Sequence, residues 1–207
     1  MKPADSDDDR LDIDRLVRKS LELKPAPTPL RDIQQFLNSR NLLGGYDLLS
    51  DESTARMWLA AINTEFGEGC DGAAVAQLRD LREAMRELLS SHATGETPKR
   101  AALRVLRSAG AGTRLKVDVD RAGRPRLLAP SDSRGTRRVI DDVMTALAAA
   151  PPDQLQRLKA CVNPGCGWVF YDTSRSRSGT WCLMNVCGAR HKMERYRSRR
   201  PGSASSG

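Results

Sequence analysis

The stretch that decides the fold reads Cys161-Val-Asn-Pro-Gly-Cys166-Gly-Trp-Val-Phe-Tyr-Asp172 and, after residues 173–181, Cys182-Leu-Met-Asn-Val-Cys187. Two close cysteine pairs set one hairpin apart can bring four thiolates to one point. Zinc takes four soft ligands in a tetrahedron, and paired cysteines are its usual source. So short a segment has no room for a core of its own, so metal binding would supply its folding free energy. A closed set of four thiolates leaves no open coordination position. That assigns Cys161, Cys166, Cys182 and Cys187 to one structural Zn2+ rather than to a catalytic one. Pro164-Gly165 suits a tight knuckle, with Gly165 free to take a positive φ. Trp168-Val169-Phe170-Tyr171 is β-prone, 172–174 and 178–179 mark a hairpin loop, and Thr180-Trp181 returns the chain to Cys182. A helix-compatible run follows Gly188. Cys187 would then sit near a helix N-terminus, where backbone N–H groups stabilise a thiolate. Knuckle, hairpin, second pair and helix make a treble-clef-like module over residues 156–200.

The run after the last cysteine is basic: Arg190, Lys192, Arg195, Arg197, Arg199 and Arg200, with His191 among them. The whole chain carries a net charge of +8, and from residue 161 onward eight Lys/Arg face two acidic residues. A positive field recruits polyanions. Arg and Lys bind phosphate, and Arg also pairs bidentately with guanine. The six cations are therefore candidate contacts to double-stranded DNA, set against the plainer reading of a solvated charged face. Trp168, Phe170 and Trp181 are expected to form the module's small core. His191, four residues after Cys187, is expected to meet solvent or phosphate, because four cysteines already complete the metal site.

Upstream the chain reads as mainly α with a small β-hairpin. The spacing of apolar residues predicts helices over 30–43, 55–66, 73–91, 99–109 and 137–150, with Ser53 or Thr54 capping the second. Gly44-Gly45 would end the first, and a Gly-rich loop spans 67–72. Leu115, Val117 and Val119 alternate with Lys116, Asp118 and Asp120, the pattern of a half-buried strand returning through 126–129. Pro151-Pro152 would open a short helix running through Leu155 and Leu158. Residues 1–29 form an extension, flexible or partly ordered, in which 11–17 is a strand or short helix and 24–29 a stiff proline linker. Residues 201–207 are Ser/Gly-rich and expected to be disordered. The helical domain, 30–155, is expected to have a core separate from that of the metal module. On α-helical geometry Arg79, Arg82 and Arg86 share one stripe. With Asn38 and Arg40 they are candidates for a small anionic effector; the alternative is a solvated face.

No apolar run is long enough to cross a membrane, and the N-terminus has no secretory core. The chain is expected to be cytoplasmic, where paired cysteines favour metal over disulfide. Cys70 is read as a free thiol in a loop and His92 as a surface residue. No Ser/His/Asp set, phosphate loop or open metal site is recognisable, so an enzyme is not expected.

From Cys161-x4-Cys166-Gly-Trp-Val-Phe-Tyr-Asp-Thr-Ser174 to Trp181-Cys182-x-Met184-x2-Cys187-Gly188-x-Arg190-x-Lys192, the chain resembles the CGNR zinc finger. Phe36-Leu-Asn-Ser39, Asp47-Leu-Leu49, Trp58-Leu59 and Leu78-Arg-x-Leu-Arg-x-Ala-x-Arg86 resemble the ABATE domain that precedes that finger. The resemblance implies a bacterial transcription regulator linked to stress. Its N-terminal domain would sense an effector or form a homodimer, and its finger would bind DNA. A zinc-built protein-interaction module acting on the transcription machinery is the alternative. One position departs from the family: Ala189 stands where the signature has Asn, so a helix cap or base contact made by that Asn is missing here.

Overall fold

The computed structural model describes residues 12–62 and 70–198. The acidic N-terminal run, Phe66, most of the Gly-rich loop, Arg199, Arg200 and the Ser/Gly tail lie outside the described residues. The elements are α1 (Ile13–Glu22), α2 (Leu30–Leu37), β1 (Arg40–Asn41), β2 (Tyr46–Asp47), α3 (Glu52–Ile62), α4 (Gly72–Thr94), α5 (Arg100–Ala111), β3 (Lys116–Val119), β4 (Pro125–Leu128), α6 (Gly135–Ala149), α7 (Pro152–Leu155), β5 (Leu158–Ala160), β6 (Val169–Tyr171), a π-helical turn (Met184–Gly188) and α8 (Ala189–Ser198). The fold is mostly helical. Among the described residues the strands form three antiparallel pairs, β1–β2, β3–β4 and β5–β6.

Three helix starts follow local capping chemistry, while α2, α5 and α6 begin without a side-chain cap. Asp12 accepts from the N–H of Arg15 at 2.9 Å and starts α1. Asp51 accepts from the N–H of Thr54 at 2.9 Å and starts α3, where the sequence pointed to Ser53 or Thr54. Asp71 accepts from Ala74 N–H at 2.8 Å and starts α4, which Gly95 closes in the left-handed conformation at φ +74°. Side-chain oxygens that take up orphan N–H groups typically contribute ~1 kcal/mol each. Leu78, Leu81, Met85 and Leu89 of α4 are 0–1 % exposed and pack against α5 and α6 through the center of the domain.

Four expectations need correction. First, the helix predicted over 30–43 stops at Leu37, because Asn38 turns its side chain to the backbone of Val169 and the chain folds back through β1 and β2. Second, the apolar side of the β3–β4 hairpin is not buried: Val117 is 70 % and Val119 59 % exposed, and Asp118 pairs with Arg126 at 2.5 Å beside them. Alternation identified the strands correctly but not what covers them. Third, β6 pairs with β5, Leu158 opposite Tyr171, so Leu158 belongs to a strand and not to the short helix. Thr180 meets the chain elsewhere, its carbonyl accepting from Val162 N–H at 3.1 Å.

The fourth correction concerns the separate core. The buried side chains of the helical part and of residues 158–187 form one continuous cluster, in which Leu37, Leu78, Val169 and Phe170 are all fully buried. The proline segment joins the same body. Ala26 is buried, its N–H donates to Gln34 Oε1 at 2.7 Å, and the Lys24 carbonyl accepts from Tyr171 N–H at 3.0 Å.

Candidate metal centre and basic helix

The knuckle is shaped by its own backbone. The Asn163 side chain accepts from Gly165 N–H at 3.0 Å and the Asn163 carbonyl from Cys166 N–H at 2.9 Å. The positive φ falls at Gly167, +65°, and not at the expected Gly165. Cys161 N–H donates to the Trp168 carbonyl at 2.8 Å, which closes the β5–β6 ladder directly beside the first cysteine. Cys187 lies in the π-helical turn that leads into α8, its N–H donating to the Leu183 carbonyl at 2.9 Å. All four cysteines are buried and free of disulfides.

Their sulfurs all lie within 4.8 Å of one another. Cys182 Sγ is 3.6 Å from both Cys166 Sγ and Cys187 Sγ. A disulfide needs ~2.05 Å. A tetrahedron of sulfurs at ~2.3 Å from a zinc ion has edges of about 3.8 Å. The separations fit the second geometry and exclude the first, so the cluster can hold a metal ion. The Cys166 and Cys182 thiols hydrogen-bond to Cys161 and hold its pKa below the ordinary thiol value, while their contacts with Cys161 push the pKa values of Cys166 and Cys182 up. Four neighbouring thiolates cannot coexist without a cation among them. Trp168 and Phe170, 3 % and 0 % exposed, lie with the four cysteines in the continuous core shared with the helical part, and Trp181 is only partly buried against it, so the expected small core of the module is not separate.

The candidate DNA residues sit as follows. Helix α8 contains no buried residue; Arg190, Lys192, Arg195 and Arg197 are exposed along it. Its only acid is Glu194. His191 is exposed and its ring lies 5.0 Å from that of Trp181, which ties the first turn of α8 to the metal module.

The five effector candidates are split. Arg79 is exposed, and Arg40 pairs with Glu83 at 3.3 Å. Arg82, 1 % exposed, grips Asp47 bidentately at 2.6 and 2.8 Å and donates to Ser39 Oγ at 3.1 Å. Burial raises the pKa of Asp47, but the Arg82 hydrogen bond, the Leu49 N–H and nearby charge outweigh it, and the net shift is downward. Arg86 donates to the carbonyls of Gly167 and Leu37 and, at 3.3 Å, of Arg40. Burial lowers its pKa to about 10. Asn38 donates to the Val169 carbonyl at 2.9 Å and accepts from the Val169 N–H at 2.8 Å. Gln34 donates to the same carbonyl at 3.2 Å, and Leu42 N–H to the Cys166 carbonyl at 3.2 Å. Helices α2 and α4 therefore hold the knuckle's backbone directly. Gln34 was invisible to sequence reasoning, since one Gln on an apolar face carries no signal of its partner.

A mostly helical domain joined through polar side chains to a four-cysteine metal-binding module defines the class of protein. Residues 33–157 match the ABATE family, described as "Putative stress-induced transcription regulator", and residues 157–200 match the CGNR zinc finger. The chain belongs to the ABATE family and ends in a CGNR zinc finger domain. Among curated proteins none matches it. Among the described residues no helix is long and apolar enough to cross a membrane.

Proposed function

We propose that this chain is a cytoplasmic DNA-binding transcription regulator, not an enzyme. Zinc at Cys161, Cys166, Cys182 and Cys187 would fix the knuckle and aim α8 at a duplex. One observation carries the reading: the helix that follows the last cysteine has no buried face and exposes Arg190, Lys192, Arg195 and Arg197. A helix that buried one side against the domain would offer cations only where packing left them. This one is exposed along its length, with His191 in ring contact with Trp181 at its first turn, and cations dominate it. Arg199 and Arg200 would extend the same charge. Each phosphate contact contributes roughly 0.9 to the slope of log affinity against log salt, so three or four contacts give a slope of about −3 to −4.

The test is titration of a fluorescent duplex with the zinc-loaded protein at several salt concentrations. Absence of binding even at low salt would overturn the reading and favour a protein-interaction module. For Asn38, Arg82 and Arg86 we propose a joining role in place of effector recognition. An anion bound there would have to displace Asp47 or several backbone carbonyls.

A further inference from the structure

The loop from β6 to Cys182 is held more firmly than a polar connection requires. Asp172, 3 % exposed, accepts from the N–H groups of Ser174 at 3.0 Å and Gly179 at 2.8 Å, and pairs with Lys159 at 2.9 Å. Lys159 also donates to the Arg177 carbonyl and, at 3.4 Å, to that of Gly179. Arg157 donates to the carbonyls of Asp172 at 2.9 Å and Ser174 at 3.0 Å. A Cβ on Gly179 would stand 2.8 Å from Asp172 Cγ, so the loop closes this tightly only on glycine. Two cations and a carboxylate are thus committed at the base. The segment turned outward is Arg175-Ser-Arg-Ser178, all of it exposed. The side chains of Arg175 and Arg177 make no hydrogen bond or ion pair among the described residues.

The loop also lies close to α8. It exits through Thr180 into Trp181, whose ring is 5.0 Å from His191 in the first turn of that helix. The chain from Arg177 to Trp181 spans at most ~14 Å when fully extended. That reach is comparable to the major-groove width of about 12 Å. A cation on a fixed loop loses less freedom on binding than one on a mobile tail.

We propose that this loop is a second phosphate-binding element, with Arg175 and Arg177 gripping the backbone of the DNA duplex that α8 contacts. The proposal rests on the DNA reading above and adds to it a second, independently anchored prong. The test uses the full-length, zinc-loaded protein and a fluorescent mixed-sequence duplex over a series of salt concentrations. Arg175→Gln combined with Arg177→Asn, the Asn being tolerant of the φ of +53° at that position, removes both charges. This variant should flatten the salt slope by about 1.8, or roughly 0.9 per lost contact. Arg175→Lys with Arg177→Lys should keep the wild-type slope, because phosphate accepts either cation. Metal content and melting temperature serve as folding controls. If the double variant melts early, Arg175→Gln alone should flatten the slope by about 0.9. Wild-type binding with an unchanged slope in the neutral variants would overturn the loop's role and leave that of α8 standing. Failure of the wild type to bind at low salt would remove both.

Discussion

Helices α4 and α8 both carry arginines at helical spacing, and the two sets end in opposite places. On α4, Arg82 and Arg86 reach Asp47 and the carbonyls of Leu37, Arg40 and Gly167. On α8, Arg190, Arg195 and Arg197 stay exposed. Spacing alone does not separate the two. What separates them is whether other segments bring acceptors to the helix. The β1–β2 turn and the knuckle do so for α4. Helix α8 extends from the metal module with no buried face, so its cations keep their field for a partner.

The metal is the strongest lever on this arrangement, since structural zinc sites contribute about 10–16 kcal/mol of folding free energy. The knuckle carbonyls of Cys166 and Gly167 are bonded to Leu42 and Arg86, so loss of the metal should reach the helical domain. Cys166→Ser is expected to lose bound zinc and to lower the melting of the whole chain in a single transition. Elemental analysis and circular dichroism check this. A helical domain that keeps its own unshifted transition would show the joint to be weaker than its geometry implies.

Next come the interior polar groups. Arg82→Ala removes the bidentate partner of Asp47 and the donor to Ser39; with the Asp47 side chain 29 % exposed, the cost falls toward the low end of the about 3–5 kcal/mol lost when a buried pair is broken. Asn38→Ala leaves the Val169 N–H without its partner and its carbonyl with Gln34 alone, at about 1–3 kcal/mol. Urea denaturation measures both, and near-wild-type stability in either variant would place these side chains with the solvated arginines of α8.

A smaller effect is expected from pH. Asp32 and Asp142 share the cleft between α2 and α6; burial raises both pKa values, and Asp142 adds to the rise at Asp32. A carboxyl raised in the folded state favours its protonated form there, so stability grows as pH falls toward that value. Asp47 and Asp172 behave oppositely. Burial pushes each up, but Arg82 with neighbouring groups for Asp47, and Ser174, Lys159 and Gly179 for Asp172, bring both below the ordinary carboxylate value. Their stabilisation is present above the unfolded pKa of ~3.9 and disappears as pH falls through the folded values. On these carboxylates alone, stability should rise as pH falls toward the raised values of Asp32 and Asp142 and drop below about pH 4. Asp32→Asn should reduce the rise, since Asp142 keeps its own burial, and leave the fall.

The metal cluster was legible because cysteine spacing states its chemistry locally, and α4 because its apolar residues recur at helical spacing from Val75 to Leu89. The joint was not. Asn38 and Arg86 contact Val169 and Gly167 across more than eighty positions of chain, and neither residue type announces a backbone partner. Alternation at Val117 and Val119 marked a strand truthfully, yet which side a neighbour covers depends on where α6 lies. The loop arginines stood in plain sight as Arg175-Ser-Arg177. Without the Asp172–Lys159 anchor they were indistinguishable from other surface charge.

The smallest effect on stability is expected on α8 itself, where it is most informative about function. Lys192 is exposed, and an exposed cation away from caps and networks changes stability by no more than about 0.5 kcal/mol. Lys192→Ala should thus melt like the wild type, while Arg82→Ala does not, and this contrast isolates function from folding. If Lys192 contacts phosphate, its loss should weaken all duplexes alike and flatten the salt slope by roughly 0.9. Arg190 sits two residues nearer the metal and is held by the turn that carries Cys187. If it reads a base, Arg190→Ala should weaken the preferred sequence by roughly 1–3 kcal/mol and random duplex far less. Equal losses on both duplexes would make Arg190 another phosphate contact, with sequence preference arising elsewhere on the module.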